Sequence, residues 1–380
     1  MDDRRYHGLD ALRGGMMMLG IVLHGALLYL SAPPPGMPML TDPDHAVVFD
    51  LVFAFIHAFR MPTFFIVAGF FAALLVGRRG IAGTLRDRAR RILAPFAAGL
   101  FTLLPLTVIL MMDFWLAVRF GTHDLWPNLP DLLKLAAEAE AKGAPRGQVP
   151  LAHLWFLYYL CGFYLLIPAC RWLEGASRRF ESGVAAWLAS PVAIVPLAAW
   201  SAATLWPFKG AQVHEGFVFL KPHLPSLAYY GSFFVFGYVL HGHRAALAAM
   251  ARRVPLYVVL GAALFPLATW AARTDHAEHT IASHAISAVA NGMCTWAIAF
   301  LAIGLAQRWF DRESPWIQYV SQSAYWVYLV HMPLVLFAGW LMVPYRFPAE
   351  IKFALACAFT ATLSLASFHY LVQRTWIGLF

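Results

Sequence analysis

The chain has 380 residues, of which 61% are hydrophobic and only 13% charged, a balance outside that of soluble domains and one that needs lipid as solvent. Its formal net charge of +8 is divided among short loops between apolar runs. That leaves no basic stripe for a nucleic-acid duplex, and membrane lipid is the partner the charge suits.

The first apolar run, Leu12 to Ser31, follows Asp2, Asp3, Arg4 and Arg5 and has no cleavage site of small residues, so it is expected to be a retained span. A span needs roughly 20 largely apolar residues. Nine further segments qualify: Val47 to Val76, Ile92 to Trp115, Leu151 to Trp172, Trp187 to Trp206, Leu224 to Leu240, Val254 to Ala272, His284 to Ala306, Trp316 to Leu341 and Ile351 to Val372. The second is long enough to be tilted or broken, and Pro62 sits in its middle, where a kink would free backbone carbonyls. The expected fold is all-α, a polytopic transmembrane helical bundle of about ten spans forming a single domain over residues 1–380. Between Arg119 and Pro150 an alanine-rich stretch with Lys134, Glu138, Glu140 and Lys142 fits a short surface helix. No internal repeat of the transporter kind is visible.

Loop charges orient the spans, because cytoplasmic loops carry the excess of Lys and Arg. One alternate set holds Arg4, Arg5 and Arg13, then Arg78 to Arg91, then Arg171, Arg178 and Arg179, then Arg244, Arg252 and Arg253, then Arg308 and Arg312, and last Arg374. The other set is poorer, with Arg119, Lys134, Lys142 and Arg146, then Lys209 and Lys221, then Arg273, then Arg346. Both termini are therefore expected on the cytoplasmic side. Cys161, Cys170, Cys294 and Cys357 all lie inside apolar runs, which points to neither a disulfide framework nor a zinc cluster, and no metal is expected.

Ionisable groups at membrane depth default to functional hypotheses. Arg13 and His24 in the first span are eleven residues apart, which is three helical turns plus about 20° with a rise of about 16 Å. Both lie on one helical face. An anionic group held by Arg13 and a reacting centre near His24 would be joined by an extended linker of about that rise, which suits a coenzyme with a phosphate end and a reactive end. Asp10, three residues before Arg13, is expected to pair with it and orient it.

Arg60 in "HAFRMPTFF" keeps its charge and needs an anion, carbonyls or water at that depth. No Asp or Glu is read at comparable depth in any span, which favours a substrate carboxylate, a thioester carbonyl or a developing oxyanion as its partner. His57 could pack beside Arg60. His331 in "SQSAYWVYLVHMPL" reaches the same depth from the ninth span, so His24, Arg60 and His331 converge on one level. His153, Trp155, Tyr158 and Tyr159, and likewise His223, Tyr229 and Tyr230, open their spans at the outer side and read as aromatic belts.

The stretch "LDALRGGMMMLGIVLHG", with "FRMPTFFIVAGFF", "HLWFLYYL" and "SAYWVYLVHMPL", resembles the acyltransferase 3 family of membrane-bound O-acyltransferases, and in particular its glucan biosynthesis protein C branch. Ala68 stands where the second-span motif has a small hydroxyl residue. The resemblance implies a cytoplasmic acyl-coenzyme A donor, succinyl-coenzyme A for the glucan branch, with no tightly bound cofactor. It also implies transfer to hydroxyls of a periplasmic glucan and a place in the bacterial inner membrane. On that reading His24 acts as general base or forms a transient acyl-imidazole, Arg60 holds the oxyanion or a succinyl carboxylate, and His331 orients His24 or the acceptor. Arg13, with Arg90 and Arg91 at the inner face, binds coenzyme phosphates. The alternatives are O-acetyl transfer to another glycan, and a transporter or flippase of an anion that does no covalent chemistry.

Overall fold

Apolar runs in lipid must satisfy every backbone N–H and C=O internally, and the described residues accordingly form helices and no strand. The structure is a computed structural model that describes residues 6–33, 40–124, 151–188, 190–213 and 222–374, with isolated positions between 130 and 138. Glu140, Lys142, Arg146 and Lys221 from the loop reading lie outside the described residues, as does most of the stretch assigned to a short surface helix.

The helices are α1 (His7–Leu27), α2 (Val47–Arg88), α3 (Ala94–Phe101), α4 (Leu103–Phe120), α5 (Trp155–Tyr164), α6 (Ile167–Arg178), α7 (Glu181–Leu188), α8 (Ile194–Leu205), α9 (Leu224–Gly242), α10 (Ala245–Arg252), α11 (Val254–Glu278), α12 (Ile281–Trp309), α13 (Pro315–Met342) and α14 (Ala349–Ser367). Six helical stretches are long and apolar enough to cross a membrane: Val47–Phe101, Leu103–Phe120, Val254–Glu278, Ile281–Trp309, Pro315–Met342 and Ala349–Gln373. Two bent pairs, Ala152–Tyr164 with Ile167–Arg178 and Ser182–Leu188 with Pro191–Leu205, raise the number to eight. The two other expected spans are α1 and α9, of 21 and 19 residues. They are helical but fall short in apolarity, since α1 carries Asp10, Arg13 and His24 and α9 carries three tyrosines and a histidine.

Pro62, where a kink was expected to free backbone carbonyls, lies within unbroken helix of α2, and the non-helical residue of α2 is Gly80, with φ 67° and ψ 176°. The carbonyl that Pro62 frees, on Ala58, accepts a 2.9 Å hydrogen bond from the Thr295 hydroxyl of α12. The bond that α2 loses internally is thus supplied by a neighbour. Helices α2 and α9 pack so closely that a Cβ on Gly69 or Gly237 would collide with the carbonyl of Phe234 or Ile66.

Contacts sort the bundle into two ends. At one end Arg13 bonds Ser321, Arg244 lies over the Tyr6 ring, Arg88 over the Tyr164 ring, and Tyr319 packs on Phe368. Residues 6 and 374 share this basic end. At the other end Lys352 pairs with Asp42, His123 packs on Trp340 and His284 bonds the Trp206 carbonyl.

Candidate active site

Four elements deliver the site: α1 with Met16, Gly20 and His24, α2 with Arg60, α13 with His331, and the 3-10 turn Ala152–Leu154 that precedes α5. Arg60 lies 13 residues into α2, about 20 Å from its start at 1.5 Å per residue. It is 5% exposed, and its Nε donates a 2.8 Å hydrogen bond to the Met16 carbonyl. Among the described residues no carboxylate forms an ion pair with it. Gly20 leaves the space it occupies: a Cβ there would sit 2.5 Å from Arg60 Nη2 and 3.5 Å from His331 Nε2. The guanidinium and the His331 ring thus flank one point on α1, one turn from His24.

The His24 and His331 rings are 5.2 Å apart, and the His331 and His153 rings 5.4 Å. The structure brings together the three residues expected at one level and adds a fourth, His153. Local geometry decides which nitrogens are free. His331 Nδ1 lies 2.7 Å from the Tyr328 carbonyl and 3.1 Å from that of Val327. A carbonyl only accepts, so in the neutral ring Nδ1 carries the proton and Nε2, which has no hydrogen-bond partner, presents its lone pair. His153 Nε2 lies 3.0 Å from the Leu329 carbonyl and is the donor, which leaves Nδ1 bare and unbonded. The carbonyl of Leu329 is free for that role because Pro333, four residues on, has no N–H to give it. The Tyr328 hydroxyl donates to the His153 carbonyl and closes the link. Ala152, with a left-handed φ of 45°, turns the chain so that His153 faces inward, at about 1 kcal/mol of backbone strain.

At the basic end Arg13 meets Asp10 at 3.1 Å and bonds the Ser321 hydroxyl at 2.6 Å, while Ser321 donates to Asp10. The Arg13 side chain keeps 34% exposure, enough to meet an anion from outside. Arg90 and Arg91 fall in the π-helical turn Ala89–Leu93 at the same end, since Tyr325, one turn beyond Ser321, bonds the Ile92 carbonyl. Both are exposed, and Arg91 is paired with Asp87 at 3.2 Å, so neither is joined to Arg13. His57 stacks on Phe53 with ring centroids 5.2 Å apart and lies within electrostatic reach of His24.

Three features went unread in the sequence. His153, Tyr229 and Tyr230 are interior residues, 3%, 5% and 4% exposed, rather than an interfacial belt. The Pro in "HMPL" was the available signal, because it marks a freed carbonyl that wants a donor. Asp113 is a carboxylate inside α4, seven residues before its end at Phe120 and so shallower than Arg60, buried with neither oxygen hydrogen-bonded. Lys352, in the first turn of α14, is fully buried between Asp42 at 2.7 Å and Asp44 at 3.0 Å, with Arg346 3.5 Å from Asp44. Burial raises the Asp44 carboxyl, but the hydrogen bonds and charges of Lys352 and Arg346 outweigh it and hold the group below the usual range. Among the described residues no cluster of His, Cys, Asp or Glu has the geometry to hold a metal.

Fold and site together define a multi-pass helical membrane protein with a buried, carboxylate-free arginine surrounded by imidazoles. The Acyltransferase domain family matches residues 6–369, and the chain belongs to it. Relatives similar to it include Glucans biosynthesis protein C of Escherichia coli strain SMS-3-5 / SECEC and of strain K12, each 28% identical over 170 residues. The match covers 45% of this chain and 39% of each relative, so it spans about two fifths of the relatives' length. No solved structure matches.

Proposed function

We propose that the protein is a membrane-bound O-acyltransferase that moves an acyl group, succinyl in our reading, from acyl-coenzyme A to a hydroxyl of a glucan. The donor enters at the basic end, which we assign to the cytoplasm of a bacterial inner membrane, and the acceptor approaches from the opposite face. The chain works as one domain over residues 1–380. Succinyl and glucan follow the resemblance to the glucan biosynthesis branch and the names of the relatives. Acyl transfer itself rests on one observation above all: Arg60 is fixed beside Gly20 with no carboxylate partner, facing imidazole nitrogens that present lone pairs.

The chemistry runs as follows. The acceptor hydroxyl oxygen attacks the thioester carbon while His24 takes its proton, a role a neutral imidazole performs near pH 7. Arg60 N–H groups hold the oxyanion of the tetrahedral intermediate, where removal of one such donor typically lowers the rate about 10²–10³-fold. The carbonyl re-forms as the carbon–sulfur bond breaks, and the coenzyme sulfur takes the proton from the His24 imidazolium and leaves as the free thiol. His331, with its Nδ1 proton tied to backbone, orients the acceptor or His24. Arg13, braced by Asp10 and Ser321, meets the coenzyme phosphates at the surface together with Arg90 and Arg91.

The test is acyl transfer by purified protein in lipid, with labelled succinyl-coenzyme A and a glucan, comparing wild type with His24→Ala. The expected result is free coenzyme and labelled glucan from wild type only. Near-normal transfer by His24→Ala would end the assigned role of His24. Label that crosses the bilayer without a covalent product would favour a transporter or flippase, and preference for acetyl-coenzyme A would favour O-acetyl transfer.

A further inference from the structure

Apart from the reaction site, a groove of about 620 Å³ runs between α4, α13 and α14, a volume within the range of ligand sites. Leu103, Leu106 and Leu110 form its α4 wall, at the i, i+3, i+7 spacing that puts them on one helical face. Trp326, Val330 and Phe337 come from α13, and Leu363 and Tyr370 from α14 and the π-helical turn Phe368–Gln373 that ends it. All three walls belong to stretches long and apolar enough to cross a membrane, so hydrocarbon is the medium that reaches them. The walls are not packed shut, because Leu106 and Leu363 keep 46% and 40% exposure.

Nothing inside the groove asks for a polar ligand. The Trp326 indole N–H donates to the Ser367 hydroxyl at 2.9 Å, and Ser367 donates to the Ser364 carbonyl at 3.0 Å, so the polar groups of the lining are spent on one another. Its length fits a lipid chain. Trp326 and Phe337 are 11 residues apart, a rise of about 16 Å, and half of a hydrocarbon core of about 30 Å is the reach of chains from one leaflet.

Charge selects the headgroup. The mouth of the groove at Tyr370 is also the basic end of the bundle, where loops carry the excess of arginine. Arg374 follows the Phe368–Gln373 turn with its guanidinium 5.9 Å over the Tyr370 ring, it is exposed, and among the described residues no carboxylate pairs with it. A phosphate at that level meets a cation and a phenol together. We infer that the groove is a lipid site, taking one acyl chain of an anionic phospholipid from the leaflet at the basic end with the headgroup phosphate against Arg374. Val330 and Pro333 line the groove, while His331 between them is fully buried with Nδ1 against the Tyr328 carbonyl. The bound chain therefore packs behind the turn of α13 that carries His331.

The experiment places the full chain in phosphatidylethanolamine nanodiscs with a trace of phosphatidylglycerol bearing a diazirine midway along one chain, or of the phosphatidylcholine equivalent. Illumination and peptide mass spectrometry are expected to show residues 103–110 and 363–370 labelled above the exposed α11 face at Val259 and Leu267, and more by phosphatidylglycerol than by phosphatidylcholine. Arg374→Gln should lower that headgroup preference about fivefold, the worth of one cation beside an anionic lipid. Leu106→Trp, which fills the groove from a half-exposed position, should abolish the excess labelling by both lipids. Equal labelling of groove and α11 in the wild type, or a headgroup preference unchanged by Arg374→Gln, would overturn the site. Native mass spectrometry of wild-type protein released from the nanodiscs adds a readout that needs no variant. Chain with retained phosphatidylglycerol is expected, and a lipid-free dimer would seat a second copy of the chain in the groove and overturn the proposal.

Discussion

Gly20→Ala probes the site without replacing any group that bears chemistry. The added Cβ would lie 2.5 Å from Arg60 Nη2 and 3.1 Å from its Cζ, whereas ordinary contact begins near 3.4 Å. The guanidinium has to retreat by about 1 Å, which stretches the 2.8 Å bond from Nε to the Met16 carbonyl beyond hydrogen-bond range. A hydrogen bond to a charged group contributes about 1.5–3 kcal/mol, and alanine in a helix interior returns about 0.5–1 kcal/mol relative to glycine. The folded state should therefore lose only about 1–2 kcal/mol. A displacement of about 1 Å at a reacting centre lowers the rate about 10²-fold. The comparison is Gly15→Ala, one of the neighbouring α1 glycines, whose Cβ would meet nothing within 4 Å and which should keep full transfer. Initial rates of acyl transfer and thermal unfolding in detergent check both halves. Wild-type rates from Gly20→Ala with normal unfolding would refute the placement of Arg60 as the group that holds the developing charge.

Lys352→Met should destabilise the protein by about 3–5 kcal/mol, because it strands the fully buried Asp42 as an uncompensated charge while Asp44 keeps Arg346, and thermal unfolding of Lys352→Met alone against Lys352→Met with Asp42→Asn should show recovery in the second. Asp44 gives a pH dependence with a defined sign. Its folded carboxyl lies below the unfolded value of about 3.9, so its stabilisation is full above that pH and is lost as pH falls through the lower folded value. Unfolding temperatures measured below about pH 4 should fall, and Asp44→Asn should lack that part of the fall. His153→Ala removes the donor to the Leu329 carbonyl and should cost about 1–3 kcal/mol, read by denaturation, together with a fall in transfer rate. Transfer at the wild-type rate would separate His153 from the site.

Much of the fold was legible because lipid imposes a long apolar run on each helix, and the helix positions follow those runs. The depth argument that grouped His24, Arg60 and His331 also holds in the packing, because helix rise converts sequence distance into height. Register around the bundle was not legible. Height alone does not say that the outer start of α5 folds inward, and a Trp- and Tyr-rich span opening looks the same whether it faces headgroups or another helix. His153 and Tyr230 were lost for that reason. Lys352 was passed over as part of an apolar run, although its acidic partners lie three hundred residues away in the connection after α1. Spans α1 and α9 show the reverse relation: polar residues turned to the interior, His24 and Tyr229 among them, lower their apolarity.

The prolines connect these observations. Proline inside a helix removes one N–H and releases the carbonyl four residues earlier. Pro62 releases Ala58 and Pro333 releases Leu329, and each carbonyl is taken by a side chain from another element, Thr295 in one case and His153 in the other. Neither helix is broken at its proline, and each released carbonyl serves docking. Each bond also has a chemical consequence. Thr295 is fixed with its hydroxyl proton already committed, and His153 is fixed as the tautomer whose Nδ1 keeps a free lone pair. Backbone acceptors do not titrate, so these bonds hold His153 and Thr295 in place across the pH range in which the imidazoles change charge. A site meant to pass a proton during turnover needs supports of that kind, because a support that changed charge with the reaction would move the groups it is there to hold.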